Sequence, residues 1–291
     1  MEDATATDAR ETLKQLTSAL EGHLGSDLLG LYLFGSLAAG AFYPGKSDLD
    51  LMAIVAAEVE EGQQLEALRG LHDAFVAEWP AWVERVEVTY MDRAVLRTFG
   101  DRPSGRIAVI SPGEPLHIRD VGFDSTLDWH NVSTRGETIL GPPPLELGPE
   151  VSAAAYRHAV EALLREWPNR VRAPWVAYVP AQQGYVVMTL CRALYALATG
   201  EQTTKEEATA WAAARSGTST PDPMRSTFWR MALGCQSPDR SGFPSAVRGA
   251  GPAGGQSGLA VVATGARVAW ANAASVLESI KAAARAVKSG R

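Results

Sequence analysis

The amino-acid sequence predicts an α+β chain in two parts, a mixed sheet covered by helices and then an all-helical bundle. Three observations carry this reading. Runs rich in strand formers at 28–34, 47–55 and 82–91 alternate with segments of helical periodicity through the first part of the chain. The stretch GPPPLELGPE at 141–150 then interrupts it, because consecutive prolines donate no backbone hydrogen bonds and stiffen the connection. Beyond that point the readable segments show helical spacing. The expected domains are therefore residues 1–145 and 150–291.

Each element has a local reason. Leu13, Leu16, Leu20 and Leu24 recur at helical spacing over 8–24, with Asp8 and Glu11 in the first turn where the helix dipole favours acids. The strand 28–34 follows, then the loop 35–46 and the strand 47–55. Leu65, Leu68, Leu71 and Phe75 mark a helix over 60–78 that stops before Pro80. Over 82–91, Val86, Val88 and Tyr90 alternate with Arg85, Glu87 and Thr89, the pattern of a strand with one polar face. The breaker-rich stretch 92–140 supports one or two more strands, around 107–110 and 116–118, and a short helix. Helices are expected at 151–166, 181–199 (stopped by Gly200), 204–214 and 222–233, with a last one at 264–288. Between the last two, the Gly-, Ser- and Pro-rich residues 234–258 offer little to bury and read as a flexible loop.

Bulk properties narrow the function classes. Hydrophobic residues are 46% and charged residues 21% of the 291, a globular composition. No apolar run has the roughly 18 residues of a membrane span, and the start MEDATATDARE lacks a signal-peptide core, so a cytoplasmic protein is expected. The net charge of -6 argues against a nucleic-acid partner, whose phosphates call for Lys and Arg. Cys191 and Cys235 have no metal-ligand spacing; Cys191, inside an apolar helical pattern, reads as a small buried thiol.

The chemistry concentrates in LFGSLAAGAFYPGKSDLDL. Gly35 lets a backbone approach phosphates, and Ser36 can donate from its amide and its hydroxyl. Asp48 and Asp50 project to one side of their strand, and carboxylate oxygens suit Mg²⁺. Glu87, on a neighbouring strand, is placed to reach an incoming hydroxyl. Taken singly, a Gly-Ser pair is usually a turn, an Asp-x-Asp a solvated strand edge and a Glu a surface carboxylate. The ordered combination of GS, SDLDL and VEVTY is far more specific.

Gly35, Ser36, Ser47, Asp48 and Asp50 resemble the signature of the DNA polymerase beta nucleotidyltransferase superfamily. From about residue 10 to 233, through VEVTY, RGETILGPPP and VVMTLCRALYALATGEQTTKEEATAWAAAR, the chain resembles its aminoglycoside 3''-adenylyltransferase branch, the streptomycin and spectinomycin resistance enzymes. The resemblance implies a polymerase-beta-like domain plus a helical domain, and Mg²⁺-dependent transfer of AMP from ATP to a hydroxyl of an aminoglycoside-type antibiotic, with release of pyrophosphate. It implies Asp48, Asp50 and Glu87 as the metal and catalytic carboxylates, Glu87 being the base. Gly35, Ser36, Ser47, Arg192 and Lys205 are implied as nucleotide contacts, the last two from the helical domain. A monomer with a small-molecule acceptor is expected.

The acceptor is less defined. Where the resistance enzymes carry acidic residues and a Trp, this chain reads Tyr178, Val179, Pro180, Ala181, Gln182, Gln183, Gly184. Asp124, Asp128, Trp129, His130 and Glu166 are available elsewhere, with Trp129 more often a packing residue. The alternatives are nucleotidyl transfer to another metabolite or to a protein hydroxyl, and a catalytically silent binding protein. Three retained carboxylates argue against the silent one.

Overall fold

The computed structural model describes residues 2–99, 102–171 and 180–215. The helices expected at 222–233 and 264–288, the loop 234–258 and Cys235 lie outside the described residues. The chain divides into two compact units, Met1–Ala159 and Val160–Arg291.

In the first unit α1 (Glu2–Leu24) leads into β1 (Leu28–Phe34) and the single-turn α2 (Gly35–Ala38). Then come β2 (Leu49–Val55), α3 (Gln63–Glu78) and β3 (Val86–Asp92). The chain goes on through α4 (Arg93–Leu96), β4 (Arg106–Ser111), β5 (Glu114–Asp120), α5 (Phe123–Arg135), β6 (Glu137–Leu140), α6 (Pro144–Leu147) and the start of α7 (Ala153–Val171). The six strands form one mixed sheet in the order β5-β4-β3-β2-β1-β6. β2 and β3 are parallel, joined by the crossover that contains α3, and the other pairs are antiparallel. The expected α+β class with a mixed sheet is the one observed.

Two strand limits shift from the sequence reading. β2 begins at Leu49, so Asp48 precedes the strand instead of lying within it. β3 begins at Val86 and not at residue 82, because Pro80–Trp82 forms a 3-10 turn and Glu84 takes a positive φ of 56°. The stretch 92–140 holds more than expected: β4, β5, β6 and a 13-residue helix.

The strand alternation sorts the sheet into two faces. Leu49, Leu51, Ala53, Val86, Val88 and Tyr90 join Leu13, Leu16 and Leu20 of α1 and Leu65, Leu68 and Phe75 of α3 in one buried cluster. Asp50, Met52, Glu87 and Thr89 therefore face the other way. On that side Tyr32 meets Trp129 of α5 edge to face at 6.2 Å. Both tie down the proline-rich segment: Tyr32 Oη donates to the Pro142 carbonyl and Trp129 Nε1 to the Pro149 carbonyl, each at 2.8 Å. The edge strand β5 carries Glu114, His117, Arg119 and Asp120, charges that discourage pairing with another chain.

In the second unit α8 (Pro180–Thr199) packs on α9 (Lys205–Arg215), with Tyr195 and Trp211 edge to face at 5.5 Å. Gly200, at φ 79°, ends α8 as expected. Thr204 and Glu207 cap α9 reciprocally: the Glu207 amide donates to Thr204 Oγ1 at 3.2 Å and the Thr204 amide to the Glu207 carboxylate at 3.3 Å. Cys191 is buried, which pushes its thiol up to about 11, an inert packing group. Among the described residues no helix is long and apolar enough to cross a membrane.

Candidate active site

The pleat and register of β1, β2 and β3 build the site. Phe34 is the partner of Asp50 across β1 and β2, and Asp50 is the partner of Glu87 across β2 and β3. The two carboxylates therefore stand side by side on adjacent strands, on the face away from α1 and α3. Both are half-buried.

Gly35 follows Phe34 and turns the chain with φ 71°. A Cβ on Gly35 would lie 1.8 Å from Asp50 Oδ2 and 2.6 Å from its Cγ. Only glycine satisfies both the left-handed backbone and this contact with the carboxylate. Ser36 follows as the second residue of the single turn α2 and is half-buried.

The loop from α2 to β2 ends in a closed turn. The Tyr43 amide donates to Ser47 Oγ and the Ser47 amide to the Tyr43 carbonyl, each at 2.9 Å. Ser47 Oγ thus accepts from the protein, and its hydroxyl hydrogen is what it can offer a phosphate. Asp48 comes next, immediately before β2.

Arg85 enters this neighbourhood as well, although its sequence signal was only a shared face with Glu87. Its Nε donates to the Ser47 carbonyl at 3.1 Å, its Nη2 donates to the same oxygen, and its Nη1 donates to the Ala81 carbonyl at 3.1 Å. Its Cζ lies 4.7 Å over the Trp82 ring. Burial lowers the Arg85 pKa, and the charge of Asp48 opposes that shift.

The structure therefore gathers Gly35, Ser36, Ser47, Asp48, Asp50 and Glu87 in the first unit. Arg192, half-buried on α8, and Lys205, exposed at the start of α9 with its Nζ 5.8 Å over the Tyr185 ring, belong to the second. Of the other acceptor candidates, Trp129 is fully buried and is a packing residue. Asp124 pairs with Arg119 at 2.5 Å, and His130 stacks on Tyr156 at 4.2 Å with its pKa lowered by burial. Asp128 is half-buried. The side chain of Glu166 and those of the run 178–184 lie outside the described residues.

Among the described residues, no group of three His, Cys, Asp or Glu side chains stands ready to enclose a metal ion. An all-protein cage is not what Mg²⁺ requires: it binds through one or two carboxylates and completes its octahedron with phosphate oxygens and water. The oxygen donors present, with the Gly35 backbone held against Asp50, suit that mode of binding.

Residues 146–226 match the family model described as aminoglycoside adenylyltransferase, C-terminal domain. No curated protein matches the chain. Among solved structures it is similar to the spectinomycin adenyltransferase AAD(9) from Enterococcus faecialis, crystallised with ATP and spectinomycin. The TM-score is 0.63 at 16% sequence identity, over 89% of this chain and 98% of that one. At that identity the likeness establishes the fold. The family match covers residues 146–226, the part of the chain that begins at the prolines, and the structural likeness covers both parts as a fold.

Proposed function

We propose that the protein is an adenylyltransferase that moves AMP from Mg²⁺-ATP to a hydroxyl of an aminoglycoside-type antibiotic and releases pyrophosphate. The observation that carries this reading is the pairing of Asp50 with Glu87 across adjacent strands, with the Gly35 backbone against the Asp50 carboxylate. In the reaction the acceptor oxygen forms a bond to the α-phosphorus, the bond from that phosphorus to the bridging oxygen of pyrophosphate breaks, and the hydroxyl proton passes to Glu87. Asp48 and Asp50 would hold Mg²⁺, which neutralises charge on the phosphates. Ser36 and Ser47 offer hydroxyl hydrogens to phosphate oxygens, and Arg192 and Lys205 offer cations. A positioned base of this kind is worth roughly 10² to 10⁴ in rate.

Pyrophosphate release with spectinomycin, streptomycin and other hydroxylated antibiotics tests the reading. The wild type is expected to release pyrophosphate with at least one of them. Glu87→Gln is expected to keep its ATP affinity and lose roughly 10²-fold or more in transfer. Undiminished transfer in Glu87→Gln would remove it as the base, and wild-type turnover with none of the panel would move the acceptor outside the aminoglycosides.

A further inference from the structure

We propose that Arg85 is a positioning residue for the nucleotide site: it fixes the loop that delivers Asp48 by gripping the Ser47 carbonyl from a seat on the Trp82 ring. The proposal rests on the assignment of Asp48 to Mg²⁺-ATP.

The segment between α2 and β2 has no regular structure of its own, and Gly40 and Gly45 both take positive φ within it, at 69° and 70°. Backbone of that kind needs an anchor if its last residues are to hold a metal ligand in place. Arg85 supplies one, with two N–H groups on the Ser47 carbonyl and a third on the Ala81 carbonyl. A guanidinium donates in a rigid fork, so these bonds fix direction as well as distance. Its platform is firm. Trp82 is buried, packs against Phe42 at 6.2 Å, and its Nε1 donates to Thr12 Oγ1 of α1 at 3.2 Å. A continuous line of contacts therefore runs from α1 through Trp82 and Arg85 to the peptide that joins Ser47 to Asp48.

Charge and position make opposite predictions about Arg85. As a cation beside Asp48 it competes electrostatically with Mg²⁺, so its removal should tighten metal-dependent binding. As an anchor it holds a metal ligand in place, so its removal should weaken that binding. Partners that orient metal ligands are typically worth roughly 10- to 100-fold in metal affinity.

The test is calorimetric titration of the full chain with ATP, with and without Mg²⁺, for wild type, Arg85→Ala, Arg85→Lys, Asp48→Asn and the double variant Arg85→Ala/Asp48→Asn. Circular dichroism checks that each variant is folded. Arg85→Ala is expected to lose roughly tenfold in affinity with Mg²⁺ and to match wild type without it, a split that general loosening of the fold does not produce. Arg85→Lys keeps the charge but lacks the fork, and is expected to behave like Arg85→Ala; should Arg85→Ala fail to fold, Arg85→Lys carries the comparison. In the double variant Arg85→Ala is expected to add nothing to the loss caused by Asp48→Asn, since it acts through that residue. Unchanged or tighter Mg²⁺-dependent binding in Arg85→Ala, wild-type affinity in Arg85→Lys, or additive losses in the double variant would overturn the proposal. If Asp48→Asn itself leaves the Mg²⁺ dependence intact, the metal assignment falls and the role of Arg85 falls with it. If Asp48→Asn removes the dependence and Arg85→Ala does not alter it, only the role of Arg85 falls.

Discussion

Gly35 is the position where backbone conformation and side-chain chemistry are hardest to separate. Its φ of 71° costs an L residue roughly 1 to 2 kcal/mol, and its Cα lies under the Asp50 carboxylate so closely that any Cβ displaces it. Gly35→Ala is therefore expected to lower the thermal midpoint by several degrees and to reduce Mg²⁺-ATP affinity more than that loss of stability alone implies, because Asp50 must rotate away. Thermal melts together with ATP titration check it, and a folded Gly35→Ala protein with wild-type affinity would refute the contact. The residue types here were legible in the sequence, since Gly-Ser after a strand and two carboxylates at alternate positions are local patterns. The pairing of Asp50 with Glu87 was not. Register between two strands joined through a helix is set by packing on both faces of the sheet, and the alternation within either strand leaves it open. Arg85 was illegible for a similar reason, because its partners are a distant backbone carbonyl and an indole ring.

The elements that scaffold the site are joined by a contact of a different kind, a buried polar bridge from α3 to β3. His72 Nε2 lies 2.7 Å from Tyr90 Oη, both side chains being buried. Desolvation lowers the His72 pKa to about 4, a shift that the nearby charge of Asp73 only partly opposes. The group is held neutral in the folded unit, while in the unfolded chain it binds a proton near its ordinary value of about 6.5. Between those two values the unfolded state carries more protons, so stability rises with pH. The contribution is complete above about 6.5 and is lost as pH falls toward about 4. His72→Gln is expected to flatten this slope, by at most about 1.4 kcal/mol per pH unit, when urea unfolding is followed from pH 7 to pH 4. An unaltered slope would show that His72 binds protons alike in the folded and unfolded states. The helix itself was legible from Leu65, Leu68, Leu71 and Phe75, whereas a buried His on it runs against the usual exposure of that residue. In the stretch 92–140 the sequence supported only an unplaced short helix, because the buried stripe of α5 contains Ser125 and Thr126 beside Trp129 and Val132 and a count of apolar residues understates it.

For the whole molecule, the proposed function gives Arg192 of α8 and Lys205 of α9 a role as cations toward ATP, which is separate from the role of the sheet's carboxylates. The fold class and the change to helices beyond the prolines were readable because periodicity and proline chemistry are written along the chain. The acceptor was not readable, because a ligand surface is assembled from residues far apart in sequence, and in this chain the run 178–184 carries neither carboxylate nor Trp. The cations can be tested without knowing the acceptor. Lys205 lies outside the reciprocal Thr204–Glu207 cap of its helix and is exposed, so its replacement should cost little more than its cation–π contact with Tyr185, about 0.5 to 1 kcal/mol. Hydrogen bonds from cations to phosphate are worth roughly 1.5 to 3 kcal/mol, so Arg192→Ala and Lys205→Ala are each expected to weaken ATP binding roughly tenfold or more. Their loss should appear with or without Mg²⁺, in contrast to Asp48→Asn, and should shrink as salt is raised because screening already weakens the wild type. ATP titrations at two ionic strengths, with the rise in thermal midpoint on adding ATP as an independent readout, provide the measurement. Wild-type affinity in both variants would confine the nucleotide to the sheet and leave these two residues as an ordinary solvated helix face.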